Sequence, residues 1–166
     1  MNAAARPKFA LRPYLPADAP FLADIFRASI EELTGDDYSQ EQQEAWASSA
    51  DDLTEFAAKL GARLTLIATM NGSAAGFAAL EGHEKVDMLY VHPAVAGQGV
   101  GNMLIEALEK LAAARGAAKL TVQASDSASG FFQRHGFVAQ TRNSVLRGDE
   151  WLANTTMEKK LTEAPR

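Results

Sequence analysis

The stretch Tyr90–Leu111, YVHPAVAGQGVGNMLIEALEKL, sets glycines at 97, 99 and 101 directly ahead of an amphipathic helical run. Glycine loses more conformational freedom on folding than any other residue. Three of them at alternate positions therefore mark a place where something approaches the backbone closely. A single glycine would serve a turn and an ordinary helix cap. Three imply several N–H groups pointing the same way, at a helix N-terminus whose first donors lack intrahelical partners and whose dipole is positive. That combination binds anions, most often phosphate.

The spacing narrows the phosphate ligand. A nucleotide P-loop needs Lys and then Ser or Thr after its last glycine, but Asn102 and Met103 follow Gly101. The dinucleotide pattern G-x-G-x-x-G, counted from Gly97, ends on Asn102, and the loop follows an antiparallel strand rather than opening a βαβ unit.

The remaining chain reads as one α+β domain over residues 1–166. Phe9–Tyr14 is a first strand. The segment LPADAPFLADIFRASIEEL is a helix with Leu22, Ile25, Phe26 and Ile30 on one stripe, broken at Gly35. A two-piece helical region follows, with Trp46, Leu53, Phe56 and Leu60 facing inward and Gly61 as its end. Strands near residues 64–70, 74–80 and 86–91 form an antiparallel succession, the first two joined by the hairpin signal Asn71-Gly72. After the glycines, Met103, Leu104, Ala107, Leu108 and Leu111 form the apolar face of a helix stopped at Gly116. KLTVQAS is a buried strand, SASGFFQRHGF a short helix ended by Gly136, and two strands about the turn RGDE complete the chain.

Composition excludes several classes. The formal net charge of −5 argues against nucleic acid as the main partner. Residues 64–80 and 88–105 carry no Asp, Glu, Lys or Arg, yet internal glycines and Pro93 make neither a membrane helix, and no basic run suits a membrane surface. The absence of cysteine rules out disulfides, thiolate zinc sites and a cysteine nucleophile. Without an apolar leader at its start, the chain is expected in the cytoplasm. His83, His92 and His135 show no metal spacing, so no metal is expected.

The order of these elements and the segment Ala96-Gly97-Gln98-Gly99-Val100-Gly101 resemble the GNAT superfamily of N-acetyltransferases across nearly the whole chain. Gly99 and Gly101 match the acetyl-CoA loop of that family; Ala96 stands where Gln or Arg is usual. SASGFFQRHGFVAQ is similar to the family's later motif, and RPYLPADAPFLADIF, DYSQEQQEAWA and VDMLYVHP resemble a bacterial branch labelled YafP-like. The resemblance implies a mixed, mostly antiparallel sheet between helices in three α/β/α layers. It implies an enzyme that transfers acetyl from acetyl-CoA to a small-molecule amine by direct attack on the thioester. A homodimer is compatible with it. Acetylation of a protein N-terminus or lysine, and a non-catalytic acyl-CoA sensor, are the alternatives.

The resemblance also implies site residues. The pantetheine arm would run along Leu89, Tyr90 and Val91, where freed backbone groups bond its amides and an N–H stabilises the oxyanion. The pyrophosphate would lie over Ala96–Gly101. Phe132 occupies the position where many members use a tyrosine acid, and is expected to wall the arm. Tyr38, Tyr90, Ser125 or water remain as acids, with Tyr38 chosen among the catalytic residues and Ser125 also placed at the cofactor. Glu81 is the first choice for a base, ahead of Asp87 and His83. Asp36, Asp37, Tyr38 and Trp46 form a polar and aromatic cluster in the region of the family's acceptor pocket. Arg134 is within reach of an anionic part of CoA.

Overall fold

The computed structural model describes residues 8–161. Seven strands form one sheet in the order β1-β2-β3-β4-β5-β7-β6. They are β1 (Phe9–Pro13), β2 (Leu64–Met70), β3 (Ser73–Glu81), β4 (Lys85–Val91), β5 (Lys119–Ser125), β6 (Val138–Arg147) and β7 (Glu150–Lys160). The pairing is antiparallel except between β4 and β5, which run parallel. The helices α1 (Ala19–Leu33), α2 (Gln40–Ala47) and α3 (Leu53–Ala62) precede β2; α4 (Val100–Ala114) and α5 (Ser129–Arg134) flank β5. No helix among the described residues is long and apolar enough to cross a membrane.

Local chemistry sets most of these boundaries. Asn71 and Gly72 both take positive φ, 51° and 88°, the angles that a two-residue hairpin with the right strand twist requires. Ser39 accepts from the Gln42 N–H at 3.1 Å and receives the Gln42 side chain on its own N–H at 2.9 Å, a reciprocal cap that starts α2. Asp52 caps α3 through the Glu55 N–H at 3.0 Å.

Two apolar clusters lie on opposite faces of the sheet. Leu22, Ile25, Phe26 and Ile30 of α1 pack with Phe56, Leu60, Ile67, Phe77 and Met88. On the other face Val100, Leu104, Ile105 and Leu108 of α4 pack with Leu80, Val86, Leu120, Phe132 and Met157. Each fully buried Leu, Ile or Phe contributes roughly 1.5–3 kcal/mol.

Three details correct the sequence reading. Gly61 lies inside α3, which closes one residue later. Leu53 is exposed at the first position of that helix. The seam of α4 runs through Val100, Leu104, Ile105, Leu108 and Ala112, so Met103, Ala107 and Leu111 flank it rather than centre it. The packing direction reflects Gly76 of β3: a Cβ there would stand 2.9 Å from Val100 Cγ1, so the missing side chain lets α4 settle onto the sheet.

One irregularity positions the site. Ala79 pairs with Met88 but Leu80 pairs with Val86, which leaves Asp87 as an extra residue in β4. Such a bulge breaks strict alternation. Val86 therefore packs against α4, Met88 packs against the α1 face, and the Asp87 side chain meets Arg63 at the end of α3.

Candidate active site

β4 and β5 are joined at Lys85–Thr121 and Val86–Val122 and then part. Beyond that point β4 continues beside β3, and β5 continues beside β7 as far as Ser125. The β4 edge from Asp87 to Val91 is thereby left without a strand partner on its β5 side. A cavity of about 400 Å³ occupies this opening. Gly101, Ala128, Phe131 and Phe132 line it on the α4 face; Ile30, Leu33, Tyr38, Trp46 and Tyr90 line it on the α1 face.

The three glycines divide their duties. Gly97 and Gly99 have φ of 80° and 92°, left-handed angles that other residues adopt at a cost. A Cβ at either would meet open space. Gly99 is the N-cap of α4 and has no side chain to cover the helix end, and the first intrahelical bond runs from the Met103 N–H to the Gly99 carbonyl at 3.0 Å. The N–H groups of Val100, Gly101 and Asn102 lie in the first turn, where no intrahelical acceptor exists. Gly101 is small for another reason: a Cβ there would lie 3.1 Å from the Phe131 ring. Ala96 and Gln98 are exposed and their N–H groups turn back to Pro93 and Val95, each at 3.2 Å. Val100 is an anchor, 2% exposed in the α4 core.

Leu89 and Val91 border the cavity from the α4 face, and Tyr90 borders it from the other, with its ring 4.7 Å from Phe26 and 5.6 Å from Phe77. Burial pushes the Tyr90 phenol well above the ordinary range, against a hydrogen bond from Trp46. The phenol stays protonated near neutral pH. Ser125 lines the cavity and accepts the Ala128 N–H at 3.1 Å, shaping the turn into α5. Phe132 is buried against Phe137 and Phe131 while also touching the cavity, so it serves the core and the wall together.

The carboxylates separate in space. Glu81 stands at the end of β3 and pairs with Arg63 and Lys85, both at 3.6 Å; it does not line the cavity. Asp87 does line it, with Arg63 Nε held at 3.2 Å from its Oδ2. Arg63 therefore bridges the two acids. Tyr38 is 6% exposed, donates its proton to the Ala153 carbonyl at 2.6 Å and accepts the Asp126 N–H at 2.9 Å. Burial raises its phenol too. Its proton is thus engaged by β7, while its ring, 5.5 Å from Trp46, forms part of the cavity wall.

Asp37 accepts the Ser127 hydroxyl at 2.8 Å, a second link across this wall, and Asp36 is an exposed turn residue. Arg134 is exposed, and His83 lies in the exposed turn after β3. No group of metal-ligating side chains occurs among the described residues.

Several lining residues had no sequence signal of their own. Phe131 precedes the motif position and faces Gly101, whereas Phe132 packs on Phe137. Arg147 sits at the end of β6, beside a turn that reads as ordinary solvent-facing chain. Asn154 is held by Asn143 Nδ2 at 3.0 Å, a cross-strand pair that emerges only when β6 and β7 are in register.

A family model for the acetyltransferase (GNAT) domain matches residues 34–161. The chain is 31% identical over 150 residues to YafP, an uncharacterized N-acetyltransferase of Escherichia coli (strain K12), covering 90% of this chain and 95% of that protein. It is 29% identical over 134 residues to YjaB, a peptidyl-lysine N-acetyltransferase of Salmonella typhimurium (strain LT2), covering 81% and 76%. The crystal structure of a GCN5-related N-acetyltransferase from Rhodopseudomonas palustris superposes with a TM-score of 0.91 at 60% identity, over 97% of this chain and 99% of that one. With a glycine-opened helix at one side of a parted sheet and a matching sequence along most of its length, the chain belongs to the GNAT family of acetyltransferases, which draw the acetyl group from acetyl-CoA.

Proposed function

We propose that residues 1–166 act as a single domain that transfers acetyl from acetyl-CoA to the primary amine of a small molecule. The observation that carries this reading is the parting of β4 from β5, which opens a cavity lined by Gly101 in the first turn of α4 together with aromatic side chains and the Asp87 carboxylate. The N–H groups of Val100, Gly101 and Asn102 would hold the pyrophosphate. The free edge at Leu89–Val91 would bond the pantetheine amides, and Phe131 and Phe132 would exclude water from the arm.

The reaction needs no covalent enzyme intermediate. The amine lone pair attacks the thioester carbonyl, a C–N bond forms and the C–S bond breaks. The ammonium loses one proton before attack; once the C–N bond has formed the nitrogen loses a second, and this balances the proton that the departing thiolate takes up. Asp87 is the carboxylate we assign to the amine, because it lines the chamber. Glu81 assists through Arg63 rather than directly. The freed β4 N–H groups stabilise the oxyanion. The thiolate is a fair leaving group, thiols having pKa near ~8.5, so water suffices as acid when Tyr38 stays bonded to Ala153.

A second reading, acetylation of a protein lysine, is favoured by the likeness to YjaB. CoA release with panels of small amines and of lysine and N-terminal peptides separates the two. Turnover confined to small amines supports the first; turnover confined to peptides replaces it. Binding of acetyl-CoA with no release on either panel returns the chain to an acyl-CoA sensor.

A further inference from the structure

Among the described residues, three charged side chains line the cavity. Lys85 is paired with Glu81 at 3.6 Å, and Asp87 with Arg63 at 3.2 Å. Arg147 is the exception. Among the described residues its guanidinium has one hydrogen bond, to the Leu146 carbonyl at 3.3 Å, and no carboxylate partner. It stands opposite Glu150 in the β6–β7 register without forming an ion pair to it. Its charge nevertheless acts on the buried Tyr90 hydroxyl, as does that of Asp87, with opposite sign. Arg147 is itself exposed while it lines the cavity. The chamber therefore has a carboxylate and an uncommitted guanidinium among its lining groups, with apolar walls from Ile30, Leu33, Val145 and Leu152.

We infer that the acceptor is an aminocarboxylate with an apolar body: its amine lies at Asp87 and its carboxylate pairs with Arg147. The inference rests on the proposed small-amine reading and names the substrate class within it. A planar guanidinium suits a carboxylate because two parallel N–H donors match its two oxygens. A free amine lacking the carboxylate would leave Arg147 without an anion. A zwitterion offers a partner to both charged groups, and an apolar side chain meets the apolar walls.

The test compares L-phenylalanine, phenylalaninamide, phenethylamine and the phosphonate analogue of phenylalanine in CoA release, with the wild-type chain and with Arg147→Gln and Arg147→Lys. Calorimetry of N-acetylphenylalanine and N-acetylphenethylamine on the CoA-saturated protein gives a second readout that needs no turnover. Wild type is expected to prefer the carboxylate acceptor by about 10-fold or more in kcat/KM, mainly through KM, as a charge-assisted pair requires. Arg147→Gln should reduce that preference to ~3-fold or less while leaving acetyl-CoA affinity unchanged, and Arg147→Lys should restore part of it. Equal use of phenethylamine, or a preference that survives Arg147→Gln, overturns the inference. A phosphonate preferred over the carboxylate overturns the carboxylate assignment. If no amine is turned over yet the Arg147-dependent preference persists in calorimetry, the anion site stands and the transferase reading fails. If calorimetry shows no preference either, both fail.

Discussion

A methyl group added to Gly101 would stand 3.1 Å from the ring of Phe131, tighter than most packed contacts. The first turn of α4 thus rests directly on α5, and the wall of the cavity is built by a residue that has no side chain. Gly101→Ala is expected to cost about 1–3 kcal/mol, the range of overpacking in a filled interior. Urea denaturation reads the loss, and Phe131→Leu in the same chain should recover part of it. A Gly101→Ala protein as stable as wild type would mean that Phe131 swings aside freely.

Gly99 is governed by backbone angle. Its φ of 92° is left-handed and its would-be side chain meets open space. Gly99→Val should therefore lower acetyl-CoA affinity ~10-fold or more, because a β-branched residue abandons that angle and turns the donors of the loop. Calorimetric titration checks this. Unchanged affinity in a folded variant removes the loop from the phosphate site.

Asp87 and Glu81 should respond differently to neutralisation. Asp87→Asn is expected to lower kcat by about 100-fold or more, as loss of a general base does, with acetyl-CoA affinity intact. Glu81→Gln should lower it only several-fold, roughly the scale of a weakened positioning contact near ~1 kcal/mol. Steady-state kinetics on the two variants, beside calorimetric acetyl-CoA affinity, decides. The reverse order would make Glu81 the base.

Tyr38→Phe leaves the Ala153 carbonyl and the Asp126 N–H without their partner. Stability should fall by about 1–3 kcal/mol, the cost of unsatisfied buried groups. Turnover should fall less than 10-fold, whereas loss of a general acid would remove ~100-fold or more. Steady-state kinetics beside thermal melting separates a tie from an acid.

Arg12 holds Asp18 through two bonds of 2.8 Å, and this pairing, with the Leu15 N–H, keeps the Asp18 carboxyl below its ordinary pKa against some burial. A depressed carboxylate pKa means the unfolded chain binds the proton more readily. The resulting stability is present above the unfolded value, near ~3.9, and is lost as pH falls toward the folded one. Asp18→Asn should therefore flatten the decline in stability below about pH 4 and lower the plateau near pH 7. Urea midpoints across that range test it; an unchanged acid limb would show that the pair contributes nothing.

The elements themselves were legible in the sequence because their causes are local. The Asn71-Gly72 turn follows from residues that tolerate positive φ, α1 from its apolar period, and the donor loop from glycines beside a helix start. Those signals act over a few residues, and the chain carries them wherever it folds. The composition of the chamber is not local. Strict alternation along KVDMLYV would set Val86 beside Met88 and Tyr90; the bulge at Asp87 moves Val86 to the opposite face and turns Asp87 toward Arg63. The register of β3 against β4 decides that, since a one-residue slip reverses every side chain. In the same way Tyr38 meets Ala153 across 115 positions of sequence, and Arg147 reaches the cavity only because β6 and β7 fold beside β5. Sequence chemistry determined where a glycine-opened helix start would form. Long-range pairing, whose partners no short window contains, decided which carboxylate and which arginine line the cavity.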